Sequence, residues 1–198
     1  MKKLKMTVLA IVASVSLFSF QTPSEAASMT HTVKTGDTLW KVANKNGVSL
    51  GDLKAANKQT SNLIFVGQKL VIPNSFISAA DKDLIARLVS AEAKGESYAG
   101  KVAVATVILN RLSHPDFPNT VRGVVYQVES GHYAFTPVQN GAINQAADAA
   151  SKKAVNEALA FRGQGKGSVY FYNPNTSTSK WIFSREVTTT IGNHRFAK

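Results

Sequence analysis

The 198-residue sequence has no cysteine. Disulfide bridges, a thiol nucleophile and a cysteine metal site are therefore excluded. Histidine is scarce as well, with His31, His114, His132 and His194 alone. None of them stands at a metal-ligand spacing such as H-x-x-x-H, and a zinc site needs about three protein ligands. No metal and no cofactor is implied. Acids are few, with 12 Asp plus Glu against 23 Lys plus Arg, a net charge of +11. The excess is spread over the chain. Residues 28–77 carry six Lys and two Asp (+4), and residues 78–198 carry fourteen basic and nine acidic side chains (+5). A basic surface without a dense run suits an anionic partner: nucleic acid, acidic lipid, or the polyanions and peptide carboxylates of a cell wall.

A long hydrophobic run is also missing. Met6 to Phe20 is mostly apolar but is broken by Thr7, Ser14, Ser16 and Ser19, and a comfortable membrane span needs roughly 20 apolar residues. Lys2, Lys3 and Lys5 precede it, and Ser24-Glu25-Ala26 follows with small residues at the two positions a signal peptidase reads. Residues 1–26 therefore read as a secretory signal, cut after Ala26, rather than as an uncleaved anchor. An exported chain has no need of nucleic acid, and once the leader is removed no stable membrane insertion is expected. A monomer is expected.

Residues 27–73 read as a small separate module. His31-Thr32-Val33 is a short strand, and Thr35-Gly36-Asp37 is a turn whose Asp37 can cap a helix starting at Thr38. Leu39, Trp40, Val42 and Ala43 give that helix its apolar positions, and Gly47 ends it. Ser49 with Asp52 is a capping box opening a second helix to about Ala56. Lys69 to Ile72 alternates as a strand, and Pro73 stops it. The order is strand, helix, helix, strand. The stretch His31-Thr-Val-Lys-Thr-Gly-Asp-Thr-Leu-Trp40, then Asn57, then Gly67-Gln-Lys-Leu-Val-Ile-Pro73, resembles a LysM domain across the whole module. The resemblance implies binding of N-acetylglucosamine-containing glycans between two loops, here Thr35, Gly36, Asp37 and Thr38 on one side and Ile64 and Phe65 on the other. Backbone groups, short polar side chains and apolar faces suit neutral sugars. Trp40 lies within the first helix, which favours a core role over a stacking platform. Residues 74–77 form a short linker, which keeps the two parts of the chain close.

The second domain, 78–198, is organised around Glu92. Ser78 and Asp81 form a capping box. Leu84, Ile85, Leu88 and Val89 form one helical stripe that reaches Glu92 a turn later. Gly95 is expected to end this helix. A second helix, about Ala99 to Leu112, is apolar all round and so buried. A carboxyl at the end of a greasy face, held by a rigid pair, has its pKa raised by desolvation. The plain alternative is a solvated helix end or the partner of a nearby Arg or Lys. Arg111, closing the second helix, reads as a structural charge. Beyond it come a Pro-marked loop, a short helix to Gln127, a loop from Val128 to Pro137, and a helix over roughly Asn144 to Phe161. In that helix Asp148–Lys152 and Lys153–Glu157 are spaced as solvated ion pairs. Extended segments follow at Val169–Tyr172, Trp181–Ile182 and Val187–Ile191. Helices first and short strands last give an α+β class: a βααβ module plus a mainly helical domain with a short β region near its C-terminus.

Elimination among the nine acids of this domain leaves Glu92, Glu96 and Glu129. Glu92 and Glu96 are four apart, so on a continuous helix they lean to the same side, and two carboxylates on one side of a sugar cannot flank its glycosidic bond. One working acid without a partner nucleophile is the result. The block Arg87-Leu-Val-Ser-Ala-Glu92-Ala-Lys-Gly-Glu96-Ser-Tyr-Ala-Gly100, continuing to Asn110-Arg111, resembles the spore-cortex-lytic cell wall hydrolases of the SleB and CwlJ type. Phe117-Pro-Asn119, Val124-Val-Tyr-Gln127, Ala134-Phe135, Tyr172-Asn-Pro174 and Ser179-Lys-Trp181 extend the resemblance over essentially all of 78–198. It implies a lysozyme-like fold related to lytic transglycosylases, with the catalytic carboxyl at Glu92. It also implies a secreted protein associated with the wall or the spore, and peptidoglycan of vegetative wall or cortex as its partner. Such an enzyme cuts the β-1,4 bond between N-acetylmuramic acid and N-acetylglucosamine with one acid, leaving a 1,6-anhydro end. Glu96 is a candidate auxiliary, and Phe135, Tyr172, Asn173 and Trp181 are candidates for the sugar cleft, each aromatic equally eligible for the core. An N-acetylmuramoyl-L-alanine amidase and a non-catalytic wall-binding protein are the alternatives. The stretch from Gln127 to Phe135 is a few residues longer than that family's usual spacing.

Overall fold

The computed structural model describes residues 29–164 and 166–198. The leader expected over 1–26 lies outside the described residues. Strand β1 (Met29–Thr32) pairs antiparallel with β2 (Lys69–Ile72), with Met29 opposite Ile72. Helices α1 (Leu39–Asn46) and α2 (Leu50–Ala56) fill the space between them. Thr38, not Asp37, caps α1, its hydroxyl accepting from Lys41 N at 3.1 Å. Asp37 instead holds the preceding turn, accepting from Lys34 N at 2.8 Å and facing the His31 ring at 2.8 Å. Gly47 closes α1 in the left-handed conformation, and the Ser49 hydroxyl caps α2. Asn57 explains its own place in the motif. Its amide donates to Leu53 O and Val71 O and accepts from Val71 N, at 2.7–2.8 Å. One side chain thus ties the end of α2 to the free edge of β2, where backbone groups would otherwise lack partners.

The core of this module is Val33, Leu39, Val42, Ala43, Val48, Leu53, Leu70 and Ile72, and Ala160 of the next domain completes it. Trp40 is half-buried, its ring 5.7 Å from that of Phe161. Lys82 donates to Gly47 O at 2.9 Å. The module is therefore docked on its neighbour through packed side chains and does not merely hang from the linker.

In the second domain α3 (Ala79–Glu92) and α4 (Tyr98–Arg111) form a helical hairpin over α7 (Ala149–Ala160). Between them lie α5 (Val121–Val125), a small hairpin of β3 (Val128–Glu129) and β4 (His132–Tyr133), and α6 (Thr136–Gln139). The chain ends in β5 (Tyr170–Tyr172), α8 (Lys180–Phe183), β6 (Val187–Ile191) and β7 (His194–Ala197), forming an antiparallel sheet in the order β5-β7-β6. Leu84, Ile85, Leu88 and Val89 do face one core, with Val104, Ile108, Leu159 and Phe196.

Several expectations change. Helix α3 stops at Glu92, and Gly95 sits two residues beyond its cap with φ at +84°. The turn back to α4 is therefore made after the helix has ended, and Glu92 occupies the last helical position. Helix α4 is not buried all round: Val102, Ala103 and Thr106 line an open groove of about 600 Å³. The helix expected from Asn144 starts at Ala149, because Asp148 caps it, accepting from Ser151 N at 2.6 Å. Asp148 is thus no solvated partner of Lys152, and it pairs with Lys101 at 3.1 Å. Glu157 accepts from the Tyr98 hydroxyl at 2.7 Å rather than pairing with Lys153. Trp181 and Ile182 are helical, since the Ser179 hydroxyl caps α8. Among the described residues no helix is long and apolar enough to cross a membrane.

Candidate active site

Glu92 is placed by the rigid end of α3. The apolar stripe fixes the helix rotation, and the next turn of that stripe delivers the carboxyl to the margin of the core. It is half-buried and its carboxyl accepts no hydrogen bond among the described residues. Burial disfavours the charged form and raises its pKa to about 7, with the Arg111 guanidinium pulling the other way. At neutral pH the group is thus about half protonated, which suits a side chain that must give a proton and then take one.

Arg111 is the second fixed charge. It is buried, donates from Nε to Val169 O at 2.7 Å, and lies 4.7, 5.0 and 5.6 Å from the ring centres of Phe117, Phe135 and Tyr170. Burial lowers its pKa to about 10, opposed by Tyr170, Glu129 and Glu92. It remains charged at any physiological pH, so Glu92 titrates under a fixed positive field. Glu129, on the exposed β3–β4 hairpin, is the third charge around Arg111.

Glu96, the candidate auxiliary, is engaged by the β6–β7 turn. Asn193 donates to it twice, from Nδ2 at 3.0 Å and from its backbone N at 3.3 Å. The adjoining Gly192 has φ at +58°, and a Cβ there would overlap the Glu96 carboxyl. Glu96 is therefore a strut between the turn after Glu92 and the β6–β7 turn. His194, beside it, is buried against Phe171 and Phe196, which lowers its pKa, and its Nδ1 has no hydrogen-bond partner among the described residues.

Two of the cleft aromatics belong to the core. Phe135 is 2 % exposed and stacks 6.3 Å from Phe171. Tyr172 is 7 % exposed and packs edge-on to Phe183. Their rings were reasonable cleft candidates by type, but inward rotation gives them more apolar contact than a cleft wall offers. Asn173 spends its Oδ1 on the turn after β5, accepting from Asn175 N at 2.9 Å. Trp181 is 51 % exposed and stands edge-on to Tyr170 at 5.1 Å. Tyr170 continues to Phe117 at 5.9 Å and His114 at 5.5 Å from it. This row of half-exposed rings over Arg111 was not anticipated. Its signal was the alternation within Tyr170-Phe171-Tyr172, which sends Phe171 to the main core and the two tyrosines to the other face.

In the small module Thr35, Gly36 and Thr38 are exposed on one loop and Phe65 is 65 % exposed on the other, with Ile64 half-buried beneath. Asp37 is committed to its turn, and the Lys34 N–H and His31 hold its carboxyl below the usual range.

The cell wall hydrolase family model matches residues 95–197, more than half of the chain. The chain belongs to the cell wall hydrolase family. The matched residues begin three positions after Glu92. A LysM domain model matches residues 31–73. The spore cortex-lytic enzyme of Bacillus cereus strain ATCC 14579 is 42 % identical over 127 residues, 64 % of this chain and 47 % of that protein. The spore cortex-lytic enzyme of Halalkalibacterium halodurans is 45 % identical over 116 residues, 59 % of this chain and 34 % of that protein. The chain thus spans between a third and a half of these curated relatives. The solved catalytic domain of the germination-specific lytic transglycosylase SleB from Bacillus anthracis superposes with a TM-score of 0.57 at 41 % identity, over 64 % of this chain and all of that one.

Proposed function

We propose that this hydrolase-family chain is a secreted lytic transglycosylase that cuts peptidoglycan between N-acetylmuramic acid and N-acetylglucosamine, with Glu92 as acid and then base. The observation that carries it is a lone, half-buried carboxyl with its pKa raised to about 7 at the end of α3. The likeness to a domain described as a lytic transglycosylase supports the same reaction. Protonated Glu92 donates to the glycosidic oxygen as the C1–O bond breaks, and positive charge develops at C1 of the muramic acid. Ionised Glu92 then takes the proton of the muramic C6 hydroxyl, whose oxygen bonds to C1. The products are a free N-acetylglucosamine hydroxyl and a 1,6-anhydro-muramic end, and no water is consumed. Arg111 stays charged throughout and limits how far burial raises Glu92.

In this reading residues 27–73 are the glycan-binding part, 74–77 the linker and 78–198 the catalytic part, after a leader over 1–26. The loops at Thr35–Thr38 and Ile64–Phe65 hold the strand, and the protein stays with wall or cortex. Mass spectrometry of the products tests it. Wild type should release anhydro-muramic ends from wall or cortex, and Glu92→Gln should release none. Reducing muramic ends, or released peptides with intact glycan, would overturn it.

A further inference from the structure

The docking of the two domains leaves a crevice of about 470 Å³ between them. That volume suits a small ligand, and ligand pockets favour domain boundaries. One wall is the start of α2, with Gly51 and Asp52. The other is the end of α4 and the turn after it, with Asn110, Ser113 and His114. Leu109 and Val169, both buried, give it an apolar base. Neither domain has this site alone. It is pre-built, because Ala160 in the module's core, Trp40 against Phe161 and Lys82 on Gly47 O fix the two walls relative to each other.

The walls are polar but balanced in charge. Asp52 has no ion-pair partner among the described residues. Asn110 donates from Nδ2 to Ser168 O at 2.9 Å, which leaves its Oδ1 to accept. Arg162, also at the crevice, donates to Ser113 Oγ at 3.2 Å and lies 3.6 Å over the Phe76 ring. One acid and one engaged cation give an ionic guest no advantage. Polar groups above an apolar base suit an N-acetylated sugar, with its hydroxyls, amide and methyl. The loops at Thr35–Thr38 and Ile64–Phe65 are a separate place. The crevice is at the start of α2, whose seven residues span roughly 10 Å, and Ile64 and Phe65 follow its far end.

His114 ties the crevice to the catalytic carboxyl. Its ring lies 5.5 Å from that of Phe117, which is 5.9 Å from Tyr170. Arg111 lies against both rings, at 4.7 and 5.6 Å, and its charge acts on Glu92. An unbroken run of neighbours thus leads from Glu92 to the module. We propose that the crevice holds an N-acetylated sugar of the strand being cut, a few sugars from the bond at Glu92, so that the docked LysM module completes the cleft of the hydrolase domain. This rests on the transglycosylase reading for the bond that is cut.

The test is an amide-shift titration of the isotope-labelled mature Glu92→Gln chain with a soluble β-1,4 oligomer of N-acetylglucosamine. Amides of Asp52, Asn110, Ser113 and His114 should move along with those of the Thr35–Thr38 loop. Gly51→Trp then puts a ring into the crevice. A Cβ at Gly51 meets nothing nearer than Ser49 Oγ at 3.7 Å, so α2 has room to carry it. With that ring in place the crevice amides should stop responding while the loop amides still do, which shows that the module remains folded. Ser113→Trp obstructs the same space from the other wall and serves if Gly51→Trp melts. Shifts confined to the loops, or crevice shifts that survive both rings, overturn the proposal. A second arm, with Glu92 intact, compares cleavage of long and short strands at limiting substrate, where the contribution of the loops is common to both proteins. Gly51→Trp should lower the long-to-short rate ratio about tenfold, equal to about 1.4 kcal/mol, and an unchanged ratio overturns the proposal too. Absence of anhydro ends from every strand would strike the transglycosylase reading, while the titration would still decide the crevice.

Discussion

In the LysM module the core is apolar, and Ser49, whose hydroxyl caps α2, is the one buried polar residue among those described. The hydrolase domain instead buries Lys101, Arg111, Ser151 and His194 and half-buries Glu92. Taking ionisable groups out of water is costly unless they are paired; here Lys101 is paired with Asp148 and Arg111 is hydrogen-bonded to Val169 O, while among the described residues Glu92 and His194 Nδ1 have no hydrogen bond. On the proposed reading, a module that only holds a neutral sugar needs no shifted group, whereas a site that moves a proton near neutrality does, at a cost in fold stability.

Glu92→Gln should therefore separate the two parts most sharply. Loss of a general acid removes a factor of about 10³ from the rate of anhydro-end formation, read by mass spectrometry. The same change should stabilise the fold. With its folded pKa raised from 4.5 to about 7, Glu92 binds an extra proton in the native state between those values. Stability thus falls as pH rises through that window, and the penalty is fully present above it. Discounted for partial exposure, the gain for Gln at pH 8 is about 2 kcal/mol, or roughly 5 °C in Tm, and it should vanish below pH 4.5. Equal melting of the two proteins at pH 8 would mean that Glu92 is not held by burial.

Arg111→Met breaks the contrast from the other side, replacing a buried charge by an apolar chain. Val169 O loses its Nε donor, which costs about 2 kcal/mol. The positive field on Glu92 also disappears, so the alkaline limb of the pH–rate profile, expected near the Glu92 pKa of about 7, should move upward. A limb that stays in place would show that Arg111 does not act on Glu92.

The two parts also differ in how much of them the sequence discloses. In the LysM module the determinants are local: Thr38 caps three residues ahead, Gly47 closes its helix, and Asn57 reaches a strand fourteen residues on. In the hydrolase domain Glu92 was visible because its apolar stripe is local. Its surroundings were not. Arg111 meets Val169 across 58 positions, and Glu96 meets Asn193 across 97. No helical or strand period encodes such a pairing. The same limit left Phe135 and Tyr172 open between cleft and core, since residue type does not say which way a ring will turn, and both are buried. It also hid the docking of Trp40 on Phe161.

Asn57→Ala should sharpen the contrast within the binding part. It leaves Val71 N and O without their partners, a loss of about 2 kcal/mol in that module. Pull-down on insoluble peptidoglycan should weaken, while the rate on short soluble glycans should hold. A parallel fall in both would mean that the docked module supports the catalytic fold as well as the substrate.

Glu96→Gln is the smallest and most discriminating change. Gln keeps an oxygen for Asn193 but loses the charge that strengthens both bonds, at about 1 kcal/mol. If Glu96 is a strut, the β6–β7 turn loosens, the rate falls severalfold at every pH, and the alkaline limb stays near 7. If Glu96 instead tunes Glu92 by charge, removing a like charge lowers the Glu92 pKa and the limb moves to lower pH. The direction of that limb, rather than the size of the loss, separates a residue that holds the wall of the site from one that sets its acidity. With the carboxyl turned to Asn193, the limb should not move.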